Sequence, residues 1–269
     1  MNIHFTKYDG AGNDFVIVDQ RANPVELSEK QIALICHRRF GVGADGLMEL
    51  LPPQEDYDFV MRYYNSDGRL GSMCGNGGRC ITAFAHSLGL GHRDESTGHQ
   101  RFHFLGYDGP HDAEMLMWND DEGVGIVRLG MRDVASDEIC RCEGGWKLDT
   151  GSPHFVLRVE DLEHYDVVGQ GRYWRNRTDL FPEGTNVDFI EDNPDGTLMV
   201  RTYERGVEDE TWACGTGVTA CAIVSGNRSL LTRGGSFRVD FNPTGKAFTK
   251  VQLTGPVSQN FQGEIKVKA

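Results

Sequence analysis

Cys74-Gly75-Asn76-Gly77 and Cys214-Gly215-Thr216-Gly217 are the two stretches that decide how this chain folds, because one Cys-Gly-x-Gly unit occurs twice, 140 residues apart. A second pair has the same spacing: Gly12-Asn13-Asp14-Phe15-Val16 against Gly151-Ser152-Pro153-His154-Phe155-Val156, with Phe15 and Phe155 again 140 residues apart. Between them, Gly43-Ala44-Asp45, followed by Leu47 and Met48, precedes Gly184-Thr185-Asn186, followed by Val187 and Phe189, by 141 residues. A nearly common offset over several Gly-containing motifs marks an internal duplication. Two related domains of mixed α and β structure, facing each other, are expected.

Local periodicity supports this. Residues 57–65 alternate apolar side chains at Phe59, Met61 and Tyr63, which is strand spacing, and Ser66-Asp67-Gly68 supplies a turn. After Cys74, the apolar positions Cys80, Ile81, Phe84, Ala85 and Leu88 fall at helical spacing, with Gly89 as the stop. In the second half, residues 197–203 are strand-like, a polar turn covers 206–210, and Val218, Ala222 and Ser225 continue a helix that ends near Gly226. Each repeated cysteine thus lies at a strand-to-helix junction. Further strands are predicted over 15–19, 155–159, 236–241 and 264–267, and a helix starting at Ser28. The polar stretch Asn119-Asp120-Asp121-Glu122-Gly123 sets the expected boundary between domains 1–118 and 119–259.

Composition narrows the function classes. At 269 residues, 39% hydrophobic and 25% charged, with no apolar run of membrane-spanning length, the chain reads as soluble and globular. Residues 1–14 carry charged and polar side chains where an export signal needs an apolar stretch, so a cytoplasmic location is expected. A net charge of -13 argues against nucleic acid or an anionic membrane as partner. Seven cysteines, an odd number, fit reduced thiols better than a disulfide framework.

A thiol at the first turn of a helix feels the positive end of the helix dipole and the unpaired N–H groups there, which favour the thiolate. Its pKa should fall toward neutrality. Gly75, Gly77, Gly215 and Gly217 allow a ligand close to the backbone, so each junction can also hold an anion. Two such junctions could grip one carboxylate and set a thiol on each face of the adjacent carbon. Inverting a stereocentre needs this chemistry: one group removes a proton from one face while its partner delivers a proton to the other. The helix N-termini would stabilise charge developing on the carboxylate.

The remaining cysteines invite blander readings. Cys80 points well away from Cys74 around the helix and belongs, with Cys36 and Cys221, to the core. Cys140-Arg141-Cys142 lacks the spacing and the second ligand pair of a zinc site, and His99 and His103 lie in a polar segment where metal binding is not expected. A phosphate grip is a competitor for the Gly-rich turns, but neither ends in the Gly-Lys-Ser/Thr of a nucleotide loop.

Over most of its length the chain resembles the diaminopimelate epimerase family. The resemblance is carried by Cys74-Gly75-Asn76-Gly77-Gly78-Arg79-Cys80 and Ala213-Cys214-Gly215-Thr216-Gly217. Gly10-Ala11-Gly12-Asn13-Asp14-Phe15, Gly41-Val42-Gly43-Ala44-Asp45-Gly46, Tyr64-Asn65-Ser66-Asp67-Gly68, Gly151-Ser152-Pro153-His154, Gly184-Thr185-Asn186-Val187 and Tyr203-Glu204-Arg205-Gly206 follow in the family's order. It implies an α+β fold of two pseudosymmetric domains, each a barrel-like, mostly antiparallel sheet wrapped around a central helix. The C-terminal strand, near 260–269, would return to the first domain.

The resemblance also implies a homodimer and a mechanism that needs no pyridoxal, other cofactor or metal, acting on diaminopimelate. Cys74 and Cys214 would be the catalytic pair, with His154 and Glu204 assisting proton transfer. Asn13, Asn65, Ser152, Asn186, Glu204 and Arg205 would contact the substrate, and the backbone at Gly75, Asn76, Gly215 and Thr216 would hold the reacting carboxylate. Two positions depart from the pattern: Gly46 stands where some members carry Gln, and Ser152 where many carry Asn. Other readings stay open: a two-thiol racemase for another amino acid such as histidine or proline, or a noncatalytic amino-acid-binding module that keeps the clamp.

Overall fold

The computed structural model describes residues 1–71 and 74–268, which form two compact units, Met1–Leu129 with Pro256–Ala269, and Gly130–Gly255. Unit one contains β1 (Asn2–Gly10), β2 (Asn13–Asp19), α1 (Glu29–Cys36), β3 (Gly46–Leu51), β4 (Phe59–Asn65), α2 (Gly75–Ser87), β5 (His92–Arg93), β6 (Gln100–Gly106), β7 (Gly109–Asn119) and β8 (Val124–Gly130). Unit two contains β9 (Val134–Ala135), β10 (Cys140–Cys142), β11 (Gly145–Asp149), β12 (Pro153–Arg158), α3 (Val167–Arg175), β13 (Asn186–Asp192), β14 (Leu198–Glu204), β15 (Asp209–Thr211), α4 (Gly215–Ser225), β16 (Ser229–Thr232) and β17 (Gly235–Pro243). The last strand, β18 (Ala247–Lys266), serves unit two as far as Gly255 and unit one from Pro256.

Strand pairing repeats in order and in sense. In unit one, β1–β2 is antiparallel, β2–β3 parallel, β3–β4 antiparallel, β4–β6 parallel, and β6–β7 and β7–β8 antiparallel. In unit two, β11–β12, β12–β13, β13–β14, β14–β16, β16–β17 and β17–β18 give the same series. In unit one β18 also pairs antiparallel with β1, from Asn2 opposite Lys266 to Asp9 opposite Ser258. These are mostly antiparallel sheets, each curled about one helix.

The two helices have the burial such a position demands. Gly75 to Ala85 of α2 are buried without interruption, against β1, β2, β3 and β7. α4 buries all but one residue between Gly215 and Ile223, against strands that include β11 to β14. α4, apolar nearly all round, must be enclosed, and in both helices the small residues Gly77, Gly78, Ala83, Gly217, Ala220 and Ala222 let sheet side chains close over them. Gly89 and Gly226, predicted as stops, sit at φ +70° and +76°. Cys36, Cys80 and Cys221 are core residues.

Two expectations shift. Asn119 to Gly123 is the turn of the β7–β8 hairpin, with Asn119 opposite Val124, so the compact units part at Leu129 and not at 118. A short polar run between two apolar strands is as good a hairpin signal as a boundary signal. The repeat also slips by one residue at the first motif. Met48 and Asp188 hold the same place beneath Gly77 and Gly217, so Gly46 matches Asn186, one residue off the 141 offset; Phe15 lies opposite Gly46 and His154 opposite Asn186, so Phe15 corresponds to His154 and not to Phe155. Of the returning segment 260–269, residues up to Lys266 are strand, pairing with β1 from Asn2, and Ala269 lies outside the described residues.

Candidate active site

Cys74 and Cys214 are the N-cap residues of α2 and α4, with nearly superposable backbones: φ -118°, ψ 122° and φ -113°, ψ 113°. Their carbonyls accept the first helical hydrogen bonds, from Gly78 at 2.7 Å and Val218 at 2.8 Å. An N-cap side chain sits beside the unpaired amides of the first turn. Of the glycines behind it, Gly217 is sterically required and Gly77 is tightly packed. A Cβ on Gly77 would meet Met48 Sδ at 3.2 Å, and one on Gly217 would meet Asp188 Oδ1 at 2.4 Å.

Around Cys74, unit one builds a polar lattice from three elements. Cys74 Sγ lies 3.7 Å from Asn13 Oδ1, which also accepts from Asn76 Nδ2 at 3.2 Å. Asn76 Oδ1 accepts from Arg79 Nη2 at 3.1 Å, and Arg79 Nη1 donates to the Gly75 carbonyl at 3.0 Å. Arg79 is fully buried; burial lowers its pKa to about 10, and Cys80, Cys74 and Asp9 act on it electrostatically in the opposite sense. A guanidinium is still charged at neutral pH under those conditions, so Cys74 has a cation beneath its helix. Asn13 Nδ2 donates to Asp45 Oδ2 at 2.7 Å, and Arg38 bridges Asp45 and Asp14 at 2.8 Å each. Asn65 is exposed at the end of β4. At Gly46 the missing side chain has a reason: its Cβ would lie 2.5 Å from the Tyr63 ring.

Unit two gathers His154, Ser152, Asn186, Thr216 and Cys214. His154 and Asp188 are fully buried, with Nδ1 2.7 Å from Asp188 Oδ2, while Thr202 Oγ1 donates to Asp188 Oδ1 at 2.7 Å. A carboxylate can only accept, which assigns the proton of a neutral imidazole to Nδ1 and leaves Nε2 to accept from the Thr216 hydroxyl 2.9 Å away. Thr216 Oγ1 is in turn 3.4 Å from Cys214 Sγ. Asn186 Nδ2 donates to Ser152 Oγ and Pro153 O, each at 3.1 Å, and its Oδ1 accepts the Arg205 amide at 2.8 Å. Arg205 Nη1 donates to the Glu183 carbonyl at 3.1 Å.

The thiol expectation is overturned at Cys214. Burial, then the Glu204 and Asp188 carboxylates, push its pKa well above the ordinary thiol value, outweighing the Thr216 hydroxyl and the Gly217 amide. A helix terminus carries about half a charge, less than desolvation and two anions combined. Cys214 rests as a thiol.

Asp188, Thr202 and Arg79 are the members that sequence reading assigned no role. The signal for Asp188 is an acid between the apolar Val187 and Phe189. His99 and His103, by contrast, pair with Glu114 and Asp112.

Two capping thiols on two sheets of identical pairing define a recognisable fold class. Solved structures with a similar fold include a hydroxyproline epimerase from Agrobacterium vitis, TM-score 0.68 at 15% identity, covering 98% of this chain and 92% of that one. A phenazine biosynthesis protein of the PhzF family from Bacillus anthracis gives a TM-score of 0.70 at 14% identity, covering 99% of each chain. At these identities the likeness establishes the two-domain α+β fold alone. The family follows from sequence: the chain belongs to the diaminopimelate epimerase family, whose model, described as diaminopimelate epimerase, matches residues 5–101 and 147–258. A curated diaminopimelate epimerase from Chlorobaculum tepidum is 39% identical over 269 residues, covering 95% of this chain and 98% of that protein.

Proposed function

We propose that the chain is an isomerase that interconverts LL- and meso-diaminopimelate by two-base proton transfer at an α-carbon, with Cys74 and Cys214 as the proton carriers and no pyridoxal or metal. The observation that carries this reading is the pair of N-cap thiols with matching backbone angles on topologically identical units. One thiolate takes the α-proton, the other thiol returns one to the opposite face, and the roles exchange in reverse. His154 and Glu204 adjust the protonation of the thiols. The first-turn amides at Gly75, Asn76, Gly215 and Thr216 receive the reacting carboxylate, the standard use of a helix N-terminus.

Asn13, Asn65, Ser152, Asn186, Glu204 and Arg205 contact the rest of the substrate. The activity would serve lysine and cell-wall precursor synthesis in the cytoplasm, and the working form would be a homodimer. The test is incubation with LL-diaminopimelate in deuterated water followed by chiral analysis. Wild type should wash deuterium into the α-position and form the meso isomer. Cys74→Ala and Cys214→Ala should each stay folded and lose epimerisation. Turnover at the wild-type rate in either variant would remove the two-thiol mechanism, and binding without exchange in wild type would make the chain a binding module.

A further inference from the structure

The duplicated scaffold is chemically unequal beneath its two helices. Under α2, Gly77 rests on Met48; strand register puts Phe15 and Tyr63 in the neighbouring places, their rings 5.9 Å apart edge to face. Under α4, Gly217 rests on Asp188, and the corresponding places hold His154 and Thr202, with Asp188 opposite Thr202 as Met48 is opposite Tyr63. Where one half places a Met, a Phe and a Tyr, the other places an Asp, a His and a Thr joined by hydrogen bonds through the Asp. Burying a carboxylate and an imidazole costs free energy unless each is satisfied. Here they are satisfied by each other, by Thr202 and by Thr216, in one unbroken chain that ends at Cys214.

We propose that Asp188 is a positioning residue for Cys214 chemistry: clamped by Thr202, it holds the His154 proton on Nδ1 so that bare Nε2 draws on the Thr216 hydroxyl, which thereby turns its oxygen lone pairs to the Cys214 thiol. This rests on the reading of Cys214 as a proton carrier. In the step this serves, the Cys214 S–H bond breaks and its proton goes to Thr216 Oγ1, whose own proton passes to His154 Nε2. The products are a thiolate and an imidazolium, whose charge Asp188 balances; the reverse step restores the thiol. Groups facing Cys214 are Glu204 from β14, Asp188 from β13, His154 from β12 through Thr216, and Cys221 on α4 itself. An Asn at 188 can offer its N–H₂ to Nδ1, moving the ring proton to Nε2. Thr216 would then accept from the ring and donate toward Cys214, reversing the relay. In serine proteases the same exchange of Asp for Asn leaves the geometry and removes most of the rate.

The experiment compares wild type, Asp188→Asn and Thr202→Val as full chains. Histidine-labelled protein, with the His154 signals assigned by their loss in His154→Gln, reports the tautomer through long-range ¹H–¹⁵N NMR. Wild type should carry the proton on Nδ1 and Asp188→Asn on Nε2. Epimerisation kcat should fall by at least about tenfold in Asp188→Asn, a modest fraction of the loss in that precedent, with a changed pH profile and KM within about twofold. Thr202→Val should lose several-fold in kcat with its pH profile displaced, and it decides the matter if Asp188→Asn does not fold. Wild-type kcat and pH profile in whichever of the two variants folds, or a wild-type proton on Nε2, would overturn the assignment. If Cys214→Ala is inactive while Asp188→Asn behaves as wild type, the two-thiol reading stands and this inference falls. If Cys214→Ala remains active, the failure lies in the two-thiol reading instead.

Discussion

At the scale of single residues, the side chains assigned to the substrate differ in how far the protein itself has used them. Asn186 spends its amide on Ser152, Pro153 and the Arg205 backbone, so it fixes the start of the turn at Arg205. Among the described residues the Arg205 guanidinium donates to the Glu183 carbonyl through Nη1, which leaves its other donors for a carboxylate held through two parallel hydrogen bonds. Losing a charged contact of that kind costs on the order of 2–5 kcal/mol. Arg205→Ala is therefore expected to lower kcat/KM for LL-diaminopimelate well over tenfold. Wild type should also prefer that substrate to histidine, proline, lysine and glutamate, because a single amino-acid head group leaves the second clamp unpaired. Preference for any of the four in direct competition would refute the substrate assignment and leave the thiol chemistry standing.

Elements explain why the two Cys-Gly-x-Gly units are not interchangeable. Both N-caps have the same backbone, yet α2 carries a buried guanidinium four residues into the helix at Arg79, where α4 has Thr219 bonded to the Gly215 carbonyl. Below the helices the contrast is Met48 against Asp188. Substituting the third helical residue tests this at both ends. In Gly217→Ala the new methyl would lie 2.4 Å from the Asp188 carboxylate and 3.3 Å from the His154 ring, and neither buried group has room to yield. In Gly77→Ala it would meet the end of a flexible Met at 3.2 Å. Gly217→Ala is expected to cut kcat by well over tenfold and Gly77→Ala by only a few-fold, measured on folded protein. Equal losses would show that Asp188 and His154 do not need their present places.

For the molecule as a whole, burial of thiols and a phenol predicts how stability varies with pH. Burial pushes Tyr8 and Cys36 each up to about 12, and Cys80, Cys214 and Cys221 well above the ordinary thiol value. A pKa higher in the folded than in the unfolded chain means the folded state holds its proton longer. That stability is complete below the unfolded thiol value of about 8.5 and is lost progressively as pH rises toward the folded values. Urea midpoints should be level near neutrality and fall steadily from about pH 8.5 upward. A midpoint unchanged to pH 10.5 would contradict this.

The sequence alone determined the duplication, the two strand-to-helix junctions and the thiols that cap them. Those features are local: Gly spacing, helical periodicity and the stops at Gly89 and Gly226 act within a few residues. The family motifs named in advance Asn13, Asn76, His154, Ser152, Asn186 and Thr216, which the fold gathers around the two caps. Tertiary structure decided what depends on register and burial. The hairpin at 119–123 could be told from a boundary only once β7 and β8 paired. The match of Phe15 with His154 rather than Phe155 needed the partners Gly46 and Asn186, because a one-residue slip exchanges every side chain between the two faces of a strand. The ionisation of Cys214 went against the local expectation for the same reason. A helix end favours the thiolate wherever it occurs, but desolvation and the charges of Glu204 and Asp188 come from segments distant in sequence, and together they outweigh it.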